Sequence, residues 1–240
     1  MTEVDLPGGN NTETVVRVGD TVRRSRGSDF AAQVLRHLEC AGYPYAPRYL
    51  GVDEKGRDIL TFIPGHTTDH PSQRADGAYR LAGSMLRALH DVTAGHPLAG
   101  GEDCVMHGDP GPFNAIVQDG LPVAFIDWSG CRPGGRLDDL GYLAWTWCVQ
   151  ESGGVPVAAQ AAHLREARDG YGDVDAVDLV EAMVRRQEHI IAAEQLNLRD
   201  TALSETRRRH ARTAIDWATG ARALVRRHEA TFVAALRESR

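Results

Sequence analysis

Two apolar runs separated by a two-residue turn constrain this chain more than any other feature. They lie within Val105 to Trp128, which reads VMHGDPGPFNAIVQDGLPVAFIDW. Asn114 to Val117 is a β-branched, apolar run, and Val123 to Ile126 is a second one. Asp119-Gly120 between them is a strong hairpin signal, because the turn that matches strand twist needs positive φ at its central residues. With that loop, Gln118 faces Leu121 and Asn114 faces Phe125. Asp127 then lies one diagonal step from Asn114, on the same face, since side chains alternate with period two. Diagonal neighbours have Cβ atoms about 7–8 Å apart. A hard divalent cation with oxygen ligands could bridge that gap. Asp109 enters the same neighbourhood from the preceding loop.

Phosphoryl transfer uses such a set. A carboxylate orients the attacking hydroxyl and accepts its proton, while a downstream Asn and a second Asp hold the metal against the nucleotide phosphates. His107-Gly108-Asp109, then Asn114, then Ile126-Asp127-Trp128 follow that plan. At these residues the chain resembles the aminoglycoside phosphotransferase family, relatives of choline kinases and protein kinases, in which the first motif reads His-Gly-Asp. The resemblance implies Asp109 as catalytic base, Asn114 and Asp127 as Mg2+ ligands, and His107 as a brace for the loop. Asp139-Leu140-Gly141 is similar to the family's Asp-Leu-Ala segment, so Asp139 either supports the site from behind or caps the helix that follows. Trp128 belongs either to the core or to the wall of an acceptor pocket.

The chain has 240 residues, enough for one large domain or two lobes. Its net charge of −6 argues against a general nucleic-acid binder. The charge is uneven: residues 151–200 carry 10 acidic and 5 basic side chains, and residues 201–240 carry 4 and 9. The acidic stretch either solvates helix faces or offers a surface to a cationic ligand, with Asp173, Asp175, Glu181, Glu188 and Glu194 as candidates. The basic one, with Arg207, Arg208, Arg209, Arg226 and Arg227, is a solvated face or a contact for an acidic partner. The four cysteines form no Cys-x-x-Cys pair and no zinc spacing with His. No secretory signal and no membrane-length apolar run are visible. These features lead to the expectation of a reduced, cytoplasmic protein with free thiols.

Residues 1–65 read as a small mixed lobe. Thr14–Val18 and Thr21–Arg24 are strand-like around Gly19-Asp20. Ser28 caps a helix whose apolar positions Phe30, Ala31, Val34, Leu35 and Leu38 share a face, and Gly42 stops it. Pro47–Val52 and Arg57–Ile63 form a second hairpin. Pro64-Gly65 then breaks the chain, and Gly65 to Pro71 reads as a linker. Residues 66–240 read as a larger, mainly helical lobe carrying the hairpin, with helices over Ala78–Leu89, Leu137–Val149, Pro156–Arg168, Val177–Leu198 and most of Ser204–Arg237. The layout is that of an α+β, two-lobed protein-kinase-like fold.

In the first lobe the resemblance assigns Gly8 and Gly9 to a glycine-rich loop over the nucleotide phosphates, with a plain surface turn as the alternative. It assigns Thr61 to Ile63 to the hinge that meets the purine. Three departures stand out. The phosphate-gripping lysine is missing, since Lys55 is the one lysine in the chain, and Arg24 occupies the best-matching position. Its acidic partner on the next helix is unclear, with Ala31 where Glu is expected and Asp29 the nearest acid. Little chain precedes Gly8, so the first strand of the lobe is expected to be lost.

The functional expectation is a Mg2+-dependent O-phosphotransferase, using ATP or GTP, whose acceptor is a hydroxyl of a small molecule. An aminoglycoside or similar antibiotic is the acceptor class that the resemblance implies. The alternatives are a kinase of a small hydroxylated metabolite and a non-catalytic binding or immunity protein on a kinase-like scaffold.

Overall fold

A computed structural model describes residues 2–6 and 15–238. The Gly8-Gly9-Asn10-Asn11 stretch, with its expected phosphate loop, lies outside the described residues. The chain forms two compact units, Met1–Ala78 with Met85–Arg136 and Tyr79–Ser84 with Leu137–Arg240. The units do not divide at the break expected after Gly65.

The first unit is built on a five-stranded antiparallel sheet. Its strands are β1 (Val4–Asp5), β2 (Val16–Val18), β3 (Thr21–Arg24), β4 (Tyr49–Val52) and β5 (Asp58–Thr61), in the order β1-β2-β3-β5-β4. The strand expected to be lost is therefore present, as a short β1 ahead of Gly8 paired with β2 through Val4 and Arg17. Helix α1 (Asp29–Cys40) starts where Ser28 Oγ accepts the Ala31 N–H at 3.1 Å. It buries Ala31, Ala32, Val34, Leu35 and Leu38, and Gly42 follows its end at φ +74°. Phe30 is only half-buried. In the β4–β5 turn, Asp53 Oδ1 accepts the N–H groups of Lys55 and Arg57, both at 2.9 Å.

Helix α2 (Ala78–Thr93) contributes residues to both units. After it, β6 (Cys104–Met106) pairs with β9 (Arg132–Gly134), and all three β6 residues are buried. Between them lies the hairpin of β7 (Ala115–Gln118) and β8 (Leu121–Phe125). Its turn is the expected one, with Asp119 at φ +49° and Gly120 at φ +78°. The register starts as expected, with Gln118 opposite Leu121, and then slips. Val117 faces Pro122 but Ile116 faces Ala124, which leaves Val123 as an extra residue. Phe125 consequently faces Ala115 rather than Asn114. The slip falls beside Pro122, which lies opposite Val117; both backbone groups of Val117 bond His66, so the ladder asks no N–H of the proline there.

The segment expected as a linker is bonded into this hairpin. His66 and Val117 exchange two backbone hydrogen bonds at 3.2 and 2.8 Å, and Gln118 Nε2 donates to Pro64 O at 2.7 Å. Gly65 lies between them at φ +132°, and a Cβ there would fall 2.5 Å from Val117 O. Only glycine fits that approach.

The second unit is helical. Helix α3 (Arg136–Cys148) is buried at every position from Asp139 to Cys148, and Gly141 lets it lie against Ala182, whose carbonyl carbon would be 2.7 Å from an added Cβ. Helix α4 (Val157–Tyr171) begins after Pro156, which is its N-cap and not its first turn. Helix α5 (Ala176–Asn197) is capped by Asp175, whose Oδ1 accepts from Val177 and Asp178 N–H at 2.8 and 3.1 Å. The last helical stretch is interrupted at His228 into α6 (Glu205–Arg227) and α7 (Glu229–Arg237).

Pairing of α5 with α6 accounts for much of the uneven charge. Glu181 binds Arg226, Glu188 lies 3.6 Å from Arg222 and Glu194 binds Arg207. Asp175 is taken by the cap. Of the five acids considered for a cationic ligand, four therefore have partners within the chain, with 53% of the Glu188 side chain still exposed.

Candidate active site

His107 is the centre of the local geometry. It has no exposed surface and joins the loop before the hairpin to the strand after it. Its Nδ1 accepts the Asp109 N–H at 3.3 Å, and its Nε2 bonds Ile126 O at 3.1 Å. An amide N–H only donates and a carbonyl oxygen only accepts, so Nδ1 is bare and Nε2 carries the proton. One neutral tautomer satisfies both bonds. The ring packs edge-on to Trp128 at 4.6 Å and tilted to Phe125 at 5.5 Å.

The loop itself is tightly determined. Gly108 has φ +86°, and a Cβ there would fall 2.3 Å from Gly130 O. That contact is with backbone, so no side chain can be accommodated by a rotamer change. Asp109 is half-buried, and its carbonyl accepts Asn114 Nδ2 at 3.1 Å. This bond uses the amide nitrogen of Asn114 and leaves the amide oxygen as that side chain's acceptor.

Asn114 ends a 3₁₀ turn (Pro112–Asn114) instead of starting β7. Asp127 lies beyond the end of β8, in the left-handed region at φ +57°, ψ +69°. The two are thus not diagonal neighbours in a regular ladder, as the alternation argument expected. They are brought together by the backbone, since Ile126 N–H donates to Asn114 O at 2.8 Å. A left-handed Asp costs about 1–2 kcal/mol, and such residues cluster at functional sites.

Asp127 Oδ1 accepts from Arg24 Nη1 and from Ser129 Oγ, each at 2.8 Å. Burial alone would push this carboxyl up. The Arg24 charge and hydrogen bond, with the Ser129 bonds, outweigh burial and hold it below the usual carboxylate range. Arg24 ends β3, where it pairs in register with Asp58. Ser129 was not identified from sequence, and its one signal is its place two residues after Asp127.

The remaining expected residues separate. Trp128 is 3% exposed, and its Nε1 donates to Phe125 O at 3.1 Å. It is a core residue bracing His107, and the acceptor-wall alternative is set aside. Asp139 is buried in the first turn of α3, within the second unit, where an acid also suits the helix dipole. At the expected hinge, Thr61 N–H donates to Arg48 O at 3.0 Å and Phe62 N–H to Asp20 O at 2.9 Å. Ile63 follows the end of β5.

The donor set suits a hard ion: one carboxylate and one amide oxygen, with no thiolate or imidazole. Among the described residues no group of three or more His, Cys, Asp or Glu side chains could hold a metal alone. Asn114 and Asp127 supply at most part of an octahedral shell, which fits Mg2+ bound mainly through phosphate oxygens and water.

The pattern of the phosphotransferase enzyme family (APH) matches residues 4–102 and 94–177. The chain belongs to this family. This phosphotransferase-family chain is 35% identical, over 195 residues, to the trifolitoxin immunity protein of Rhizobium leguminosarum bv. trifolii, covering 71% of the chain and 74% of that protein. In fold it is similar to a choline/ethanolamine kinase family protein from Mesorhizobium loti, with a TM-score of 0.66, 20% identity, and coverage of 99% and 92% of the two chains. It is also similar to a thermostable mutant of the aminoglycoside phosphotransferase APH(4)-Ia, with a TM-score of 0.63, 13% identity, and coverage of 96% and 95%. The fold of the phosphotransferase-family chain is therefore kinase-like. No helix among its described residues is long and apolar enough to cross a membrane.

Proposed function

We propose that the chain is a Mg2+-dependent O-phosphotransferase that moves the terminal phosphate of ATP or GTP to a hydroxyl of a small molecule. The carrying observation is the His107 bridge, which ties the Asp109 backbone to the residue preceding Asp127 while Asn114 bonds both segments. In this reading Asp109 orients the acceptor hydroxyl and takes its proton. Asn114 and Asp127 hold the ion, which neutralises phosphate charge when bound. Arg24 adds a planar cation for phosphate oxygens. Residues 1–65 form the nucleotide lobe, with Gly8 and Gly9 over the phosphates and Ile63 meeting the purine. Positioning and electrostatics supply most of the rate.

The acceptor class follows the family: an aminoglycoside or similar antibiotic, or a hydroxylated amino alcohol. The decisive assay is a screen of such compounds with Mg-ATP and Mg-GTP, read by mass spectrometry. A product heavier by one phosphate, lost in Asp109→Asn while nucleotide still raises the melting temperature, is the expected result. Transfer that survives Asp109→Asn refutes the base assignment.

The name of the 35% identical relative favours a second reading, protection against a toxin. Protection by phosphorylation fails in cells carrying Asp109→Asn, whereas protection by sequestration persists.

A further inference from the structure

We propose that Arg24 is a built-in counter-ion that keeps Asp127 from taking up a metal ion until a nucleotide arrives. The inference rests on the reading of Asp127 as a metal ligand and adds an order to its loading.

Three observations carry it. Arg24 Nη1 lies 2.8 Å from Asp127 Oδ1, with the two side chains 19% and 35% exposed, so water screens the pair only partly. Ser129 Oγ binds the same oxygen, and the left-handed backbone at Asp127 fixes where the carboxylate starts. Among the described residues Asp127 is the acid that Arg24 meets, whereas the neighbouring cations are engaged elsewhere: Arg23 lies against Asp53, Arg26 against Asp29, and Lys55 against Glu3.

The consequence is electrostatic. Asp127 contributes −1 and Arg24 contributes +1, so the pair is neutral. A divalent ion approaching it gains no net attraction from the pair and must compete with a guanidinium for the carboxylate. Asn114 supplies only a neutral oxygen. A nucleoside triphosphate changes both terms. Its oxygens match the planar fork of an arginine, which draws Arg24 from Asp127, and they complete the ion's shell. The ion is then admitted with the phosphates and not before them. A lysine would be a compact, more strongly hydrated charge in this role.

The test is Mn2+ binding to the full chain without nucleotide, measured by electron paramagnetic resonance and by calorimetry. Arg24→Met and Arg24→Gln each remove the charge, and circular dichroism establishes which of them is folded. The expected result is Mn2+ affinity raised about tenfold or more over wild type, the effect of deleting one unit charge beside a partly buried ligand. The gain is expected to vanish in Arg24→Met/Asp127→Asn, and Arg24→Lys is expected to stay near wild type. Unchanged Mn2+ affinity in both folded neutral variants overturns the proposal, as does a gain that survives Asp127→Asn. Wild-type binding of Mg-nucleotide is followed separately by thermal shift. Its absence would count against the phosphotransferase reading and leave the Mn2+ comparison interpretable.

Discussion

Replacing His107 with Ala removes two hydrogen bonds and a buried ring at once. The bonds are those from Asp109 N–H at 3.3 Å and to Ile126 O at 3.1 Å. Each contributes about 0.5–1.5 kcal/mol net, and a buried group left without a partner costs about 1–3 kcal/mol. The ring also packs on Trp128 and Phe125, and emptying a core site of this size costs about 2–5 kcal/mol in total. These terms overlap, so the expected loss is roughly 3–5 kcal/mol. That is a large share of the roughly 5–15 kcal/mol that stabilises a typical domain. Urea unfolding, compared at constant m-value, measures it. The two conservative variants separate the bonds. The Asn oxygen can stand in for Nδ1 and keep Asp109 anchored, whereas the Gln amide can stand in for Nε2–H and keep Ile126. Phosphoryl transfer is therefore expected to survive better in His107→Asn than in His107→Gln, through kcat more than KM. A loss below about 1 kcal/mol in His107→Ala would refute the bridging argument.

Gly108→Ala is expected to cost about 1–2 kcal/mol from the left-handed backbone alone, with the clash at Gly130 O in addition; a thermal melt and a transfer assay both register it. Asp175→Asn keeps an α5 cap without its charge. The Val177 and Asp178 N–H bonds hold the Asp175 carboxyl below its ordinary value, so its folded pKa lies under its unfolded pKa of about 3.9. Its charge-dependent stabilisation is present above that value and is lost as pH falls through the folded one. The gap between wild type and Asp175→Asn in urea midpoints should accordingly be widest near neutrality and close below about pH 4.

Local chemistry was legible in the sequence where a residue type admits one backbone state. Asp119-Gly120 announced its turn, Ser28 and Gly42 bounded α1, and His-Gly-Asp marked the loop. Register was less legible. The turn announced the first pair, but nothing in the run from Leu121 to Phe125 marked Val123 as the extra residue, and Asn114 was placed opposite the wrong partner. The pairing of Glu188 with Arg222 was illegible for another reason. The acidic run of residues 151–200 was read alone, and its answer lay in the basic run that follows, across a helix pair that no short window contains. Arg24 was singled out as a cation, but its bond to Asp127, 103 residues away, joins segments whose proximity only the fold supplies. Trp128 illustrates the same limit, because its burial depends on how His107 and Tyr43 meet it.

The exchange of backbone bonds between His66 and Val117 has a practical consequence. A Pro-Gly step followed by Thr, His and Asp invites splicing of a tag or a protease cleavage site, as any interdomain tether would. Here the step is a seam holding the far side of the β7–β8 hairpin. An insertion at Gly65 would pull directly on β7, and through it on the segments that carry Asp109, Asn114 and Asp127.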